Sequence, residues 1–163
     1  MAGADKPADC LAEVWRAQAA PDKPFDRAHD AADGGAISCA TGTSASQFAS
    51  ALAAIRAAAA SGDKATLIGE VALPLLYIDE SGRKRELDRN ALAAGADQVF
   101  SPRMLSLLRR TRLEDLSVVP QEGAFADLGA VWLAAGRTGG RPRIVTIDRQ
   151  ALNEAAAAKP GER

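Results

Sequence analysis

The sequence contains few of the residues that enzymes most often use for chemistry. Among 163 residues there are one histidine and two cysteines, and aromatic residues make up only 4% of the chain. Neither a G-x-S-x-G nucleophile motif nor an H-E-x-x-H zinc motif is present. Two cysteines and one histidine are also too few for a typical structural zinc site. We therefore predict no catalytic residue set, no metal site and no cofactor.

The sequence also lacks an excess of charge of one sign and lacks long apolar runs. Its 20 basic and 21 acidic residues leave a formal net charge of -1, whereas nucleic-acid-binding proteins favour a strongly basic surface. No apolar run reaches the roughly 20 residues that span a bilayer. We therefore expect no nucleic-acid partner and no membrane span. With 47% apolar residues, the chain is still hydrophobic enough for one domain with a packed core.

The two cysteines, Cys10 and Cys39, are either two buried thiols or one disulfide that ties the N-terminal segment to the main domain. We favour the disulfide, which would stabilise the fold by roughly 3–4 kcal/mol through loop closure. Such a bond is typical of an oxidising compartment. The N-terminus lacks the apolar middle of a signal peptide. We therefore expect a periplasmic protein whose signal peptide has been removed, and a cytoplasmic protein if both thiols are free.

Local patterns divide the chain into three parts: residues 1–42 as an N-terminal arm and loop, 43–148 as an α+β domain, and 149–163 as a frayed helical tail. Within the first part, an apolar stripe predicts a helix over 10–19. A long connection over 22–42 follows and contains the single histidine, His29. No nucleophile motif accompanies His29, so we interpret it as a surface residue.

Two stretches of the central part have the clearest patterns. Ser44 and Gln47 match a capping box, and apolar residues then recur at spacings of three and four, which predicts a long helix. Further along, the apolar run 123–136, the Gly-rich segment 137–142 and the β-branched run 143–147 predict a hairpin. The Gly-rich segment leads into a strand, so we interpret it as a turn and not as a phosphate loop. We expect this hairpin to form the middle of a curved antiparallel sheet.

Four short segments of the central part resemble a known family: residues 73–75 (Leu-Pro-Leu), 99–102 (Val-Phe-Ser-Pro), 129–133 (Gly-Ala-Val-Trp-Leu) and 144–147 (Ile-Val-Thr-Ile). They occur in a predicted order of helix, short helix, two strands, small helix, longer helix and closing hairpin. This combination resembles the nuclear transport factor two-like superfamily of cystatin-like α+β proteins. The resemblance extends over residues 44–147 and is closest to small bacterial envelope proteins without a known function.

The resemblance implies a curved antiparallel sheet wrapped around a long N-terminal helix, which together form a cone. The N-terminal segment lies outside the resemblance, and we expect it to add an extra helical arm. Some members have an isomerase, dehydratase or hydrolase site at the mouth of the cone, whereas others bind only a small molecule or a protein. No catalytic pattern of the family matches this sequence residue by residue, so we transfer no catalytic role. Many relatives pair through a sheet face or an edge strand, so a homodimer stays open.

The candidate ligand-binding residues are Tyr77, Phe100, Asp127 and Trp132. Aromatic residues this scarce could line a pocket, although plain core positions are the commoner outcome. Asp127 interrupts an otherwise apolar stretch. It either points inward and is hydrogen-bonded, as a general base would be, or lies in solvent at a bulge or strand start. The nearby glycines favour the second interpretation.

The candidate partner-binding residues are Arg103, Arg109, Arg110 and Arg112. They would project from a predicted helix that begins with a Ser-Pro pair near residue 101. An acidic partner or an anionic ligand could bind to these arginines. We favour a solvated helix face, which is the usual explanation of such a run.

Our leading hypothesis is a non-enzymatic binding domain of the bacterial envelope, for a small molecule or a protein. The first alternative is an inhibitor or immunity-type protein that binds another protein through the arginines and the 22–42 connection. The second alternative is an isomerase- or hydrolase-like enzyme in which Asp127 and Tyr77 act on a small hydrophobic substrate.

Overall fold

A mixed six-stranded β-sheet forms the centre of the molecule, and helices pack against one of its faces. The computed structural model describes residues 6–157. The helices are α1 Pro7–Arg16, α2 Lys23–His29, α3 Ile37–Thr41, α4 Ala45–Ser61, α5 Lys64–Ile68, α6 Arg89–Ala94, α7 Ala96–Val99, α8 Pro102–Arg110 and α9 Arg149–Ala157. The strands are β1 Ala31–Ala32, β2 Gly35–Ala36, β3 Val71–Ile78, β4 Lys84–Leu87, β5 Ser117–Val119, β6 Gly123–Ala126, β7 Val131–Ala134 and β8 Arg143–Asp148.

The strand order of the main sheet is β4-β3-β8-β7-β6-β5, and β1 and β2 form a separate hairpin. The predicted α+β class is confirmed. The prediction of a purely antiparallel sheet is wrong, because β3 and β8 pair in parallel while the other neighbours are antiparallel. Turn signals reveal only strands that are joined by a hairpin. The β3–β8 pairing joins strands that lie far apart in the sequence, so no local pattern indicated it.

The stretch 123–136, which was expected to form one arm of a hairpin, contains two strands. β7 and β8 form the predicted antiparallel hairpin inside the sheet. Before β7, a single 3-10 turn, Asp127–Gly129, reverses the chain and makes β6 a further antiparallel neighbour. The sequence marked this turn only weakly, because Asp127 and Gly129 are the two residues of an otherwise apolar stretch that disfavour a strand.

Helix α4 supplies apolar side chains to the core beneath the sheet. It begins as predicted, since the Ser44 hydroxyl accepts a hydrogen bond from the Gln47 amide at 3.3 Å. Phe48, Leu52 and Ile55 are almost completely buried in one cluster with residues of α8 and the sheet. Burial of each such side chain contributes about 1.5–3 kcal/mol.

The N-terminal segment contains more secondary structure than the sequence predicted. α1 begins at Pro7 instead of residue 10, because proline is well suited to the first helical turn. The stretch 22–42, which was predicted to be a long connection, contains α2, the β1–β2 hairpin and α3. These elements are too short for a periodic pattern. Tertiary contacts hold them, such as the buried Asp30 carboxylate, which accepts hydrogen bonds from the Ser38 amide and hydroxyl at 2.8 Å each.

Buried polar contacts attach this segment to the central domain. The fully buried Asp26 carboxylate accepts hydrogen bonds from Trp15 Nε1 at 2.8 Å and from the Ser46 amide at 2.9 Å. Gln18 Nε2 donates to the Ser44 hydroxyl at 3.1 Å. α1 and α2 therefore pack onto the beginning of α4, while the domain boundaries at residues 42 and 148 stay predictions.

The C-terminal segment is packed over the part that the structure describes. α9 buries Ala151, Leu152 and Ala155, so the prediction of a frayed tail is wrong for this helix. Residues 158–163 of the predicted tail and residues 1–5 of the predicted arm lie outside the described residues. No helix within residues 6–157 has both the length and the apolar character needed to cross a membrane.

The predicted disulfide is present and joins α1 to α3. Cys10 and Cys39 are 29 residues apart in sequence, and their Cα atoms lie 5.2 Å apart. The bond therefore closes a loop that contains α2 and the β1–β2 hairpin.

Replacement of both cysteines by serine should lower the free energy of unfolding by roughly 3–4 kcal/mol, because the unfolded chain regains the entropy of an open loop. Equilibrium urea unfolding of the oxidised protein and of the double variant measures this difference. Wild-type protein treated with a reductant is the matched control. If the reduced protein unfolds at the same urea concentration as the oxidised protein, the disulfide does not stabilise the fold.

Candidate functional site

Helix α8 presents the arginines that were predicted to bind a partner. It begins at Ser101, whose hydroxyl accepts a hydrogen bond from the Met104 amide at 3.3 Å, and Pro102 occupies its first turn. Its apolar side chains face the core and its basic ones face solvent: Met104, Leu107 and Leu108 are buried, whereas Arg103, Arg109, Arg110 and, beyond the helix, Arg112 are exposed. The last turn of a helix favours positive charge because of the helix dipole.

Two of these arginines contact neighbouring elements. Arg103 and Arg110 are seven residues apart and therefore lie on the same side of α8. Arg103 Nη1 donates to Asn153 Oδ1 on α9 at 3.2 Å. Arg110 Nη2 donates to Asp127 Oδ2 at 3.0 Å. This side of α8 thus borders both α9 and the turn between β6 and β7.

Asp127 lies in that turn and not within a strand. Its side chain is 15% exposed, against 51% for the ion-paired side chain of Arg110. Both residues, together with Thr111 and Asp115, line a cleft of about 320 Å³. The environment lies between the two predicted alternatives, since the carboxylate is largely covered but its charge is paired at the protein surface.

Leu128 is a surface feature that the sequence analysis missed. Its side chain is 66% exposed, and it is the one large hydrophobic residue that is exposed among residues 6–157. Its backbone lies in the left-handed region, with φ 58° and ψ 27°. Gly129 was the available signal, because glycine after an apolar run often marks a turn. Nothing in the local sequence indicated that the leucine itself would face solvent.

The three aromatic residues proposed to bind a ligand do not converge on one site. Tyr77 and Phe100 are buried in the core, with exposed fractions of 2% and 0%. Trp132 is half-buried on the opposite face of the sheet, where its ring packs against Phe125 with centroids 4.8 Å apart. Successive residues of a strand point to opposite faces, so the sheet itself separates Trp132 from the core.

Polar contacts hold α9 beside the turn between β3 and β4. Arg149 Nη2 donates to Glu80 Oε1 at 2.7 Å, and Asn153 Nδ2 donates to Glu80 Oε2 at 3.2 Å. Arg149 Nη1 also lies 3.4 Å from the hydroxyl of Tyr77. Because Asn153 accepts a hydrogen bond from Arg103 as well, α9 connects α8 to the turn between β3 and β4.

We call the surface formed by Arg103, Arg110, Asp127, Leu128 and Asn153 the α8–α9 patch. It brings together three of the residues predicted to form sites, namely the two arginines and the aspartate. It contains no Ser, Cys or His nucleophile, and residues 6–157 include no group of three His, Cys, Asp or Glu side chains placed to bind a metal ion. The patch contains two exposed guanidinium groups, and the exposed Leu128 directly follows the ion-paired Asp127 in the chain. Guanidinium groups bind carboxylates and also pack on apolar groups.

No protein-family model matches this sequence, and no curated protein and no solved structure is significantly similar to it. The function must therefore be inferred from the residues of the chain and their arrangement.

The ion pair between Arg110 and Asp127 should contribute little to stability. Arg110→Met and Asp127→Asn should each change the free energy of unfolding by about 1 kcal/mol or less, because a pair at the surface is screened by solvent. Urea unfolding of both single variants and the double variant forms a thermodynamic cycle. A coupling energy above about 3 kcal/mol would instead identify a buried structural pair.

Proposed function

We propose that this protein is a non-enzymatic binding domain of the bacterial periplasm that binds another protein through the α8–α9 patch. The disulfide between Cys10 and Cys39 fits an oxidising compartment, because such bonds rarely persist in a reducing cytosol. The resemblance to cystatin-like envelope proteins stays part of the proposal: α4, α5, β3, β4, α6, α8 and the β7–β8 hairpin follow one another in the predicted order, whereas α7, β5 and β6 are additional to it and β3 pairs with β8 in parallel. That the sheet of this protein forms a cone, as in that family, is part of the same proposal.

The observation that carries the proposal is the exposed group of arginines on and after α8. Arg103, Arg109, Arg110 and Arg112 are all exposed to solvent within one short stretch of chain, and two of them, Arg103 and Arg110, belong to the α8–α9 patch. Arginine is enriched in protein interfaces, since its planar guanidinium binds carboxylates through two hydrogen bonds and also packs on apolar groups. An acidic surface of the partner would complement these charges.

The structure bears differently on the inhibitor hypothesis and on the small-molecule and enzyme hypotheses. An inhibitor or immunity-type protein is one form of this proposal, in which binding blocks the activity of the partner. The small-molecule and enzyme alternatives need a pocket that joins Asp127 to an aromatic wall. Because the ring of Tyr77 is buried in the core and Asp127 is ion-paired to Arg110, the geometry adds no support for that pocket.

The direct experiment is native mass spectrometry of tagged protein purified from the envelope of its own host. A second polypeptide at fixed stoichiometry supports the proposal, whereas a small-molecule adduct that is lost on denaturation contradicts it. The intact mass also tests the compartment. A mass two hydrogens below that of the reduced chain is expected, and free thiols in the natively exported protein would remove the argument for the periplasm.

The patch can be tested with a charge-neutralising double variant. Arg103→Ser combined with Arg110→Met should weaken partner binding at least about tenfold, because each arginine loses its interfacial hydrogen bonds. Arg16→Ser combined with Arg137→Met is the matched control, since both arginines are exposed and lie outside the patch. Biolayer interferometry against the purified partner measures both. Equal loss in the two double variants would mean that only net charge matters.

A homodimer is the other assembly to consider, and the outer face of the main sheet is the surface through which two copies of this chain would pair. Leu76, Thr146, Trp132 and Phe125 are cross-strand neighbours in one row on that face, and all four are half-buried. One edge strand, β4, carries exposed charged side chains, and the other, β5, is already bridged to Asp33 through Ser117, so both edges disfavour edge-to-edge pairing. A homodimer would therefore form through the face.

If this face forms a homodimer, Phe125→Glu should convert dimer to monomer in sedimentation velocity, because a carboxylate at the end of this row, beside Trp132, would be desolvated in the interface. Glu122→Lys, an exposed substitution next to β6, controls for a change of charge. A monomeric wild type at high micromolar concentration would rule out this homodimer and leave the proposed protein partner unaffected.

A further inference from the structure

Leu128 combines exposure with an unusual backbone conformation. Single exposed leucines are common on protein surfaces, so its 66% exposure alone carries no inference. The backbone is more informative. Asp127 and Leu128 are consecutive residues with φ of 50° and 58°, in the left-handed region that L side chains other than asparagine and aspartate seldom adopt.

The surrounding contacts keep this conformation in place. The Ala130 amide donates to the carbonyl oxygens of Ala126 and Asp127 at 3.1 Å each, which closes the turn. Arg110 holds the Asp127 carboxylate on one side. The next residue after the turn is fully buried, so the chain is fixed at both ends of the exposed leucine.

The left-handed backbone at Leu128 lowers the stability of the folded state through steric strain. Glycine would adopt the same backbone without steric strain, and the chain has glycine at the very next position. Backbone strain of this kind is concentrated in binding and catalytic regions of proteins, where it places a side chain before the ligand arrives. A backbone that is already fixed loses little conformational entropy on binding.

We propose that Leu128 is a preorganised anchor that inserts into an apolar pocket of the partner protein, while carboxylates at the rim of that pocket bind Arg103 and Arg110. This inference rests on the proposed function and adds the chemistry of the partner surface. An apolar anchor surrounded by polar, charge-assisted contacts is the usual arrangement of an interface centre. The arginines on the same side of α8 supply the donors for that rim.

The test is Leu128→Gly in the full chain. Glycine keeps the left-handed backbone and removes only the side chain, so the urea midpoint of unfolding should stay the same or rise. Affinity for the partner recovered from the envelope should fall about ten- to a hundredfold, the effect expected when one leucine no longer enters an apolar pocket. Leu128→Ala should also weaken binding and provides a second variant with a shortened side chain.

Gln121→Gly is the matched control. Gln121 is also an exposed residue with a left-handed backbone, at φ 68°, but it lies outside the α8–α9 patch. Its replacement should relieve the same kind of strain without changing affinity for the partner. If both glycine variants weaken binding equally, backbone rigidity and not the leucine side chain governs the interface, and the anchor is refuted.

The remaining outcomes separate this inference from the proposed function. If the partner binds Leu128→Gly and Leu128→Ala as tightly as wild type, the anchor is wrong while the protein-binding function stands. If unfolding of both variants shifts to lower urea, Leu128 serves folding and the inference is overturned. If wild-type protein has no partner, or its only partner is a second copy of this chain, the proposed function and the anchor both fail.

Discussion

Strands β3 and β8 lie far apart in the sequence but pair in parallel inside the main sheet, with Ile78 opposite Asp148. This register decides where the chain leaves the sheet, because α9 follows β8 directly. It brings Arg149 to Glu80 in the turn after β3 and places Asn153 beside α8. The positions of α9, of the turn between β3 and β4, and of one border of the α8–α9 patch therefore depend on a single strand pairing.

The same end of the sheet fixes the turn that displays Leu128. The Asp148 amide donates to the carbonyl oxygen of Ala130 at 2.8 Å, so the end of β8 is tied to the residue that follows the turn. Arg110 contacts the turn from the side of α8. Two elements, β8 and α8, thus hold a short segment with an unfavourable backbone. If the proposed partner binds here, a rigid turn of this kind limits the conformational entropy that is lost on binding.

The N-terminal segment stabilises a different part of the molecule. The Cys10–Cys39 disulfide joins α1 to α3, and the buried carboxylate of Asp26 holds α1 and α2 against the beginning of α4. The contacts that define the α8–α9 patch involve residues from α8 onward and the turn after β3. The effects of substitutions in the α8–α9 patch and of substitutions at the disulfide or Asp26 can therefore be measured separately, because distant sites usually contribute additively to stability.

The sequence by itself determined the features whose causes lie within a few residues. The hydroxyls of Ser44 and Ser101 cap α4 and α8, and the spacing of apolar residues selects the buried sides of these helices. The Gly-rich segment between β7 and β8 allows these two strands to form a hairpin. Only the tertiary structure decided that β3 and β8 are parallel, that 123–136 divides into two strands, and that Tyr77 is buried while Leu128 is exposed. Caps and periodicity act through neighbouring backbone groups, whereas strand partners and burial depend on which distant residues occupy the adjacent space.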